Sequence, residues 1–341
     1  MRPDPGTDGA QTVDDSERVV IEAKGLQTHF PVKTGVIASL LGAKPQVVRA
    51  LDGVDLAVHE REVVGLVGES GCGKSTLGMT LVRLYEPTDG LISFLGEDVT
   101  RAKGGELKTY RRRVQVIFQD PYGSLNPRLT VGEIVAEPLR IHRQGNAHER
   151  AEGVAAALGR VRIPAAEYVD RYPHELSGGQ RQRVAIARAI VVQPDFIVAD
   201  EPVSMLDVSV RAGVLDLLEE FSDELGLAVL YVSHDVATVR YICDRVAVMY
   251  LGVFVEWGDT SSVTAQPAHP YTQKLMAAVP DADPASRRQR VELSGDVPSP
   301  IDIPSGCRFR TRCPHAMDIC AEQTPEWREI NPGQYVACHL Y

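Results

Sequence analysis

From Val19 onward, short apolar runs alternate with charged, helix-like stretches. Val63–Val67, Phe196–Ala199, Leu227–Val232 and Val246–Met249 are runs of unbroken apolar character. Continuous rather than alternating apolar positions suit strands covered on both faces, as in a parallel sheet between helices. Gln182–Val192 and Arg211–Glu224 carry helical patterning between those runs. The sequence therefore predicts an α/β fold around a largely parallel sheet. Val246–Val255 is the longest apolar stretch. It is about half of the roughly 18 residues that a membrane-spanning helix needs, and it reads as a pair of buried strands.

The pattern changes at both ends and once in the middle. Residues 1–17 are rich in Asp, Gly, Pro and Thr and are expected to form a disordered tail. Residues 18–260 carry the α/β rhythm. Thr130–Tyr172 interrupts it with helical patterning and few strand signals, which predicts a helical insertion within a subdomain of about residues 123–180. Residues 261–341 are proline-rich and predict a second, loop-rich unit with little core of its own.

Composition narrows the function. Of 341 residues, 44% are hydrophobic and 24% charged, the proportions of a globular protein. The formal charge of −10 disfavours nucleic acid as a partner, because phosphate binding needs basic surface. No charged-then-apolar leader opens the chain, so the expected location is cytosolic unless a partner holds it at a membrane.

The strongest chemical signal is Gly68-Glu69-Ser70-Gly71-Cys72-Gly73-Lys74-Ser75, followed by Thr76 at the head of a helical run. A strand, a glycine-rich turn and a helix form a nest of backbone N–H groups for phosphate. Lys74 supplies charge for the β and γ phosphates of ATP, and the Ser75 hydroxyl ligates Mg²⁺. The Cys72 thiol sits in this electropositive turn and is expected to be reactive. The Phe196–Ala199 strand ends in Asp200 and Glu201. Adjacent side chains on a strand diverge, so Asp200 is assigned to Mg²⁺ and Glu201 to the attacking water as general base. Ser177, Gly178, Gly179 and Gln180 open another helix and offer a second anion-binding N-terminus.

This order of motifs closely resembles the ATP-binding-cassette ATPases. The resemblance implies a P-loop cassette, a RecA-like core with a helical subdomain, and a small cysteine-bearing C-terminal extension. It assigns Gln119 to Mg²⁺ and to sensing a transmembrane partner. It gives Asp207 to a loop crossing a dimer interface, with Met205 departing from the usual alanine. It makes His234 the γ-phosphate switch. Phe30 is the aromatic nearest the adenine-stacking position, or an ordinary core phenylalanine; the stretch Val32–Val47 separates it from the next strand. ATP would lie between the Gly68–Ser75 loop of one cassette and the Ser177–Gln180 turn of another.

Two further segments, Asp120–Pro127 and Ala268–Leu275, resemble the oligopeptide, dipeptide and nickel importers. The resemblance implies a peripheral subunit at the cytoplasmic face of the cell membrane. Its partners would be a second, homologous but different ATPase chain, two permeases and an extracytoplasmic substrate-binding protein. A soluble, non-transport cassette ATPase is the alternative, and a redox-sensing ATPase another.

Cys307, Cys313, Cys320 and Cys338 crowd the end of the chain. They suit a [4Fe–4S] cluster, as in some ATPases of this branch, or a zinc ion, or they are free buried thiols. Arg287, Arg288, Arg290, Arg308, Arg310 and Arg312 make this extension locally basic, which reads as a solvated face.

Overall fold

The computed structural model describes residues 18–32, 46–278 and 298–341. The expected tail and the stretch Val32–Val47, apart from its ends, lie outside these residues, as do Arg287, Arg288 and Arg290.

Among the described residues, twelve strands form two sheets. They are β1 (Val19–Pro31), β2 (Val47–His59), β3 (Val63–Val67), β4 (Asp89–Phe94), β5 (Glu97–Asp98), β6 (Val114–Ile117), β7 (Phe196–Asp200), β8 (Ala228–Ser233), β9 (Arg245–Tyr250), β10 (Val253–Asp259), β11 (Trp327–Asn331) and β12 (Gln334–Ala337). The larger sheet has the order β11-β12-β10-β9-β3-β8-β7-β6. Its strands from β9 to β6 are parallel. The smaller sheet, β2-β1-β4-β5, is antiparallel.

The expected parallel core is present. Every residue of β3, β7 and β8 is buried. Their side chains alternate between two cores, as the pleat dictates. Val63, Val67, Ile197, Ala199 and Val229 join one core with the helical insertion. Val64, Leu66, Phe196, Val198 and Leu230 join the other, against the antiparallel sheet.

The helices used below are α1 (Lys74–Leu81), α2 (Val131–Ile141), α3 (Ala147–Arg160), α4 (Gly178–Ile190), α5 (Val208–Leu225) and α6 (Pro270–Ala277). The insertion consists chiefly of α2 and α3. Each starts with a reciprocal capping box, Thr130 with Glu133 and Asn146 with Glu149. Ile134, Val135, Val154 and Leu158 pack them onto Val184 and Ala187 of α4.

The C-terminal extension is tied into the main sheet rather than standing apart. β12 pairs with β10 through Glu256↔Val336 and Trp257↔Tyr335. The buried Glu256 carboxylate accepts N–H bonds from Ala268 and His269 and one from the Gln334 amide. The extension's own apolar cluster holds only Ala268, Val336 and Cys338, with Ile330 against it. Two of its arginines turn inward, contrary to the expected solvated face. Arg308 pairs with Asp52, and Arg312 pairs with Glu69 at 2.7 Å.

Candidate functional site

The loop from Gly68 to Ser75 leaves the carboxyl end of β3 and enters α1. Its shape depends on glycine at position 73. There φ is +113°, and a Cβ would lie 2.4 Å from the Ala50 carbonyl oxygen. No L side chain fits that space or that dihedral. The Lys74 ammonium bends back over the loop and donates to the carbonyls of Gly68 at 2.7 Å and Glu69 at 2.9 Å.

The next shell comes from neighbouring strand ends. The Ser75 hydroxyl donates to Asp200 Oδ1 at 3.1 Å. Asp200 is buried, and burial raises its pKa, with the Ser75 bond opposing and the Glu201 charge reinforcing the rise. A buried carboxylate beside a loop hydroxyl is an oxygen donor set for a small divalent cation. Glu201 follows directly but leaves the strand with φ +47°. Such a backbone costs about 1–3 kcal/mol for a non-glycine residue and persists where surroundings enforce it. Here its N–H is held by the Val232 carbonyl at 2.9 Å. Its carboxylate takes partners other than Ser75, which bonds Asp200. The Gln119 amide donates to Glu201 Oε2 at 2.8 Å, and His234 Nδ1 lies 2.9 Å from Oε1.

A cavity of about 590 Å³ opens over these groups. Ser70, Gly71, Cys72, Gly73, Lys74, Ser75, Thr76, Gln119, Glu201 and His234 line it, together with Phe30. Phe30 lies near the end of β1 and meets Tyr85 edge-on, with ring centroids 5.3 Å apart.

Other expected residues stand elsewhere. Ser177 caps α4 and exchanges bonds with Gln180: the Gln180 N–H donates to the hydroxyl at 3.3 Å, and the Ser177 N–H to the amide oxygen at 2.9 Å. Gly179 is closely packed, since a Cβ there would meet Val210 of α5 at 2.5 Å. Gly178 faces Leu206, so this turn adjoins the Ser204–Asp207 loop; a Cβ on Gly178 would lie 3.9 Å from the Leu206 side chain. Asp207 precedes α5 without capping it. None of Ser177–Gln180 or Asp207 lines the cavity at the Gly68–Ser75 loop. Among the described residues, the Gly68–Ser75 loop and the Ser177–Gln180 turn therefore do not share this cavity.

Cys72 differs from expectation. It is 4% exposed, and burial pushes its thiol up, with the Lys74 charge only partly opposing. That shift opposes the thiolate form on which the expected reactivity depends.

Cys307, Cys313, Cys320 and Cys338 come together around a cavity of about 10 Å³, beside His315 and His339. All four are free thiols. Burial raises Cys313 and Cys338 and pushes Cys307 up to about 11. Among the described residues, no three such side chains already stand as a metal cage. The soft donors fit a metal centre in kind.

Residues 51–204 match the family described as ABC transporter, and residues 255–320 the family described as Oligopeptide/dipeptide transporter, C-terminal region. The oligopeptide transport ATP-binding protein AppF of Bacillus subtilis is 45% identical, over 96% of this chain and 98% of its own. The chain belongs to the ABC transporter ATP-binding proteins. The dipeptide transport ATP-binding protein DppF of Haemophilus influenzae is 46% identical, over 94% of this chain and 96% of its own. Among solved structures, a dimeric post-hydrolysis state of the ATP-binding cassette MJ0796 bound to ADP and phosphate superposes with a TM-score of 0.61. It is 29% identical and covers 70% of this chain and 98% of its own. As an ABC ATPase, the protein takes ATP as its nucleotide. Among the described residues, no helix is long and apolar enough to cross a membrane.

Sequence reasoning did not find Tyr271 or Arg312. The Tyr271 hydroxyl accepts the Glu69 N–H at 2.7 Å, and Arg312 grips the Glu69 carboxylate. Both lie more than 200 positions along the chain from Glu69. No local spacing signals such contacts.

Proposed function

We propose that this ABC ATPase powers an importer of dipeptides or oligopeptides from the cytoplasmic face of the cell membrane. The observation that carries the chemistry is the meeting of Ser75, Gln119, Glu201 and His234 at one cavity over the Gly68–Ser75 loop, with Asp200 bonded to the Ser75 hydroxyl. Backbone N–H groups of Gly71 to Thr76 cradle the phosphates, and Lys74 exchanges its loop carbonyls for the β and γ oxygens. Phe30 stacks on adenine. Ser75, Asp200 and Gln119 hold Mg²⁺, which neutralises phosphate charge when bound.

Glu201 takes the proton from a water as its oxygen bonds to the γ-phosphorus, and the bond to the ADP oxygen breaks. Gln119 and His234 each engage one oxygen of that carboxylate and fix its direction. His234 Nε2 then faces phosphate. Ser177, Gly178, Gly179, Gln180 and Asp207 serve the ATP of a second cassette, read as a homologous but different chain. Two cassettes closing on ATP move two permeases, and an extracytoplasmic binding protein delivers the cargo. The names of the relatives and the match over residues 255–320 support peptide as that cargo. Uptake of a labelled dipeptide and a labelled pentapeptide into vesicles containing the whole complex tests this. ATP-dependent accumulation of either is expected; a complex that hydrolyses ATP but accumulates neither contradicts a peptide cargo.

Cys307, Cys313, Cys320 and Cys338 are proposed to hold a structural metal centre, read as a [4Fe–4S] cluster. Their convergence supports it. Zinc is the second reading. Iron, sulfide and zinc analysis of anaerobically purified protein decides. Stoichiometric iron and sulfide are expected; zinc alone removes the cluster, and absence of all three removes the centre.

A further inference from the structure

Glu69 is an anomaly in the loop that must receive a polyphosphate. A carboxylate sits between Gly68 and Ser70, and unscreened it would repel the ligand. The structure disposes of it from outside the cassette motifs. Arg312, in the C-terminal extension, donates to both carboxylate oxygens, through Nη1 at 2.7 Å and Nη2 at 3.0 Å. The arginine side chain is 4% exposed and the glutamate 19%. This is a bidentate fork largely removed from water, the strongest geometry available to an arginine–carboxylate pair. The pair also turns Glu69 away: Ser70 through Thr76 line the nucleotide cavity and Glu69 does not.

Further bonds fix the same corner. The Glu69 N–H donates to the Tyr271 hydroxyl of α6, and the Lys274 ammonium donates to the Arg312 carbonyl at 3.3 Å. Tyr271, Tyr250 and Phe309 pack their rings within 5.4 Å of one another beneath it.

We propose that Arg312 is a positioning residue for triphosphate binding: it neutralises Glu69 and holds it off the phosphate path, so the extension sets the nucleotide affinity of the cassette. This rests on the reading of Gly68–Ser75 as the phosphate loop. Truncating the arginine leaves a half-buried, unpaired carboxylate beside that loop. The penalty then scales with ligand charge.

The test is equilibrium binding of ATP, ADP and AMP to full-length protein. Arg312→Gln is expected to weaken ATP at least about fivefold, the lower bound of typical coupling between sites. ADP should weaken less and AMP least. Adding Glu69→Gln should restore ATP affinity, because the repelling charge is gone. Arg312→Lys keeps the charge but loses the fork, so its ATP affinity should fall between those of Arg312→Gln and the unaltered protein; if Arg312→Gln misfolds, Arg312→Lys with no greater loss for ATP than for AMP overturns the proposal. An equal loss for all three nucleotides, or a double variant no better than Arg312→Gln, overturns the proposal. Unchanged ATP affinity in Arg312→Gln does the same. ATP binding that ignores Lys74→Ala overturns this proposal together with the reading of the loop itself.

Discussion

Asp200 and Glu201 show how one bond rotation separates two roles. Sequence alternation already implied that neighbouring acids diverge, and φ of +47° at Glu201 completes the separation. Asp200 stays buried with a raised pKa, chiefly from desolvation. An acid whose folded pKa lies above its unfolded value favours the fold at low pH and loses that contribution as pH rises through the folded pKa. At neutral pH and without Mg²⁺, its charge therefore opposes folding. Asp200→Asn should melt at or above the unaltered protein in EDTA at pH 7, while losing Mg²⁺-dependent hydrolysis. Thermal melts with and without Mg²⁺ check both halves; a lower melting temperature for the variant in EDTA contradicts the account. Cys72 is the residue at which sequence logic failed. The Lys74 ammonium does lower the thiol pKa, but desolvation by burial raises it more.

Among the elements, the parallel strands were the most legible. β3, β7 and β8 are buried on both faces, so their apolar runs are unbroken; β7 ends in Asp200, and β3 and β8 run directly into Gly68 and His234. The antiparallel sheet was not legible. β1 and β2 pair with several register shifts, which blur the period of two. The β11–β12 hairpin escaped for another reason. Most of β11 is exposed, and the hairpin acquires its place by pairing with β10 rather than through its own pattern. The α4 turn was legible as a cap, but its tight fit against α5 was not. Gly179→Val should overpack that contact, costing about 1–3 kcal/mol. Urea unfolding measures it, and an unchanged midpoint would show that the contact yields freely.

Across the whole molecule, the extension is built onto the cassette. It continues the main sheet, and Arg308 and Arg312 reach back to Asp52 and Glu69. A run of arginines reads as solvated because sequence cannot show a carboxylate that folding brings from 243 positions away. Separately, the Ser177–Gln180 turn does not line the cavity at the phosphate loop, and the proposed function gives each complete site to two cassettes. Ser177→Arg should leave ATP binding at the chain's own loop intact, within about twofold, while abolishing turnover of the assembled complex; nucleotide titration and phosphate release separate the two.

The reading of this protein as an ATPase with Glu201 as base is tested most directly by phosphate release from Mg·ATP in the assembled transporter, with Glu201→Gln in this chain. Its own loop is filled, the water is in place, and only the proton acceptor is altered. Turnover at the site built on this chain's loop should fall about 10²- to 10⁴-fold, the usual worth of a general base, with ATP affinity kept. Turnover within a few-fold of the unaltered complex, measured with the second cassette's own site disabled, would contradict the assignment.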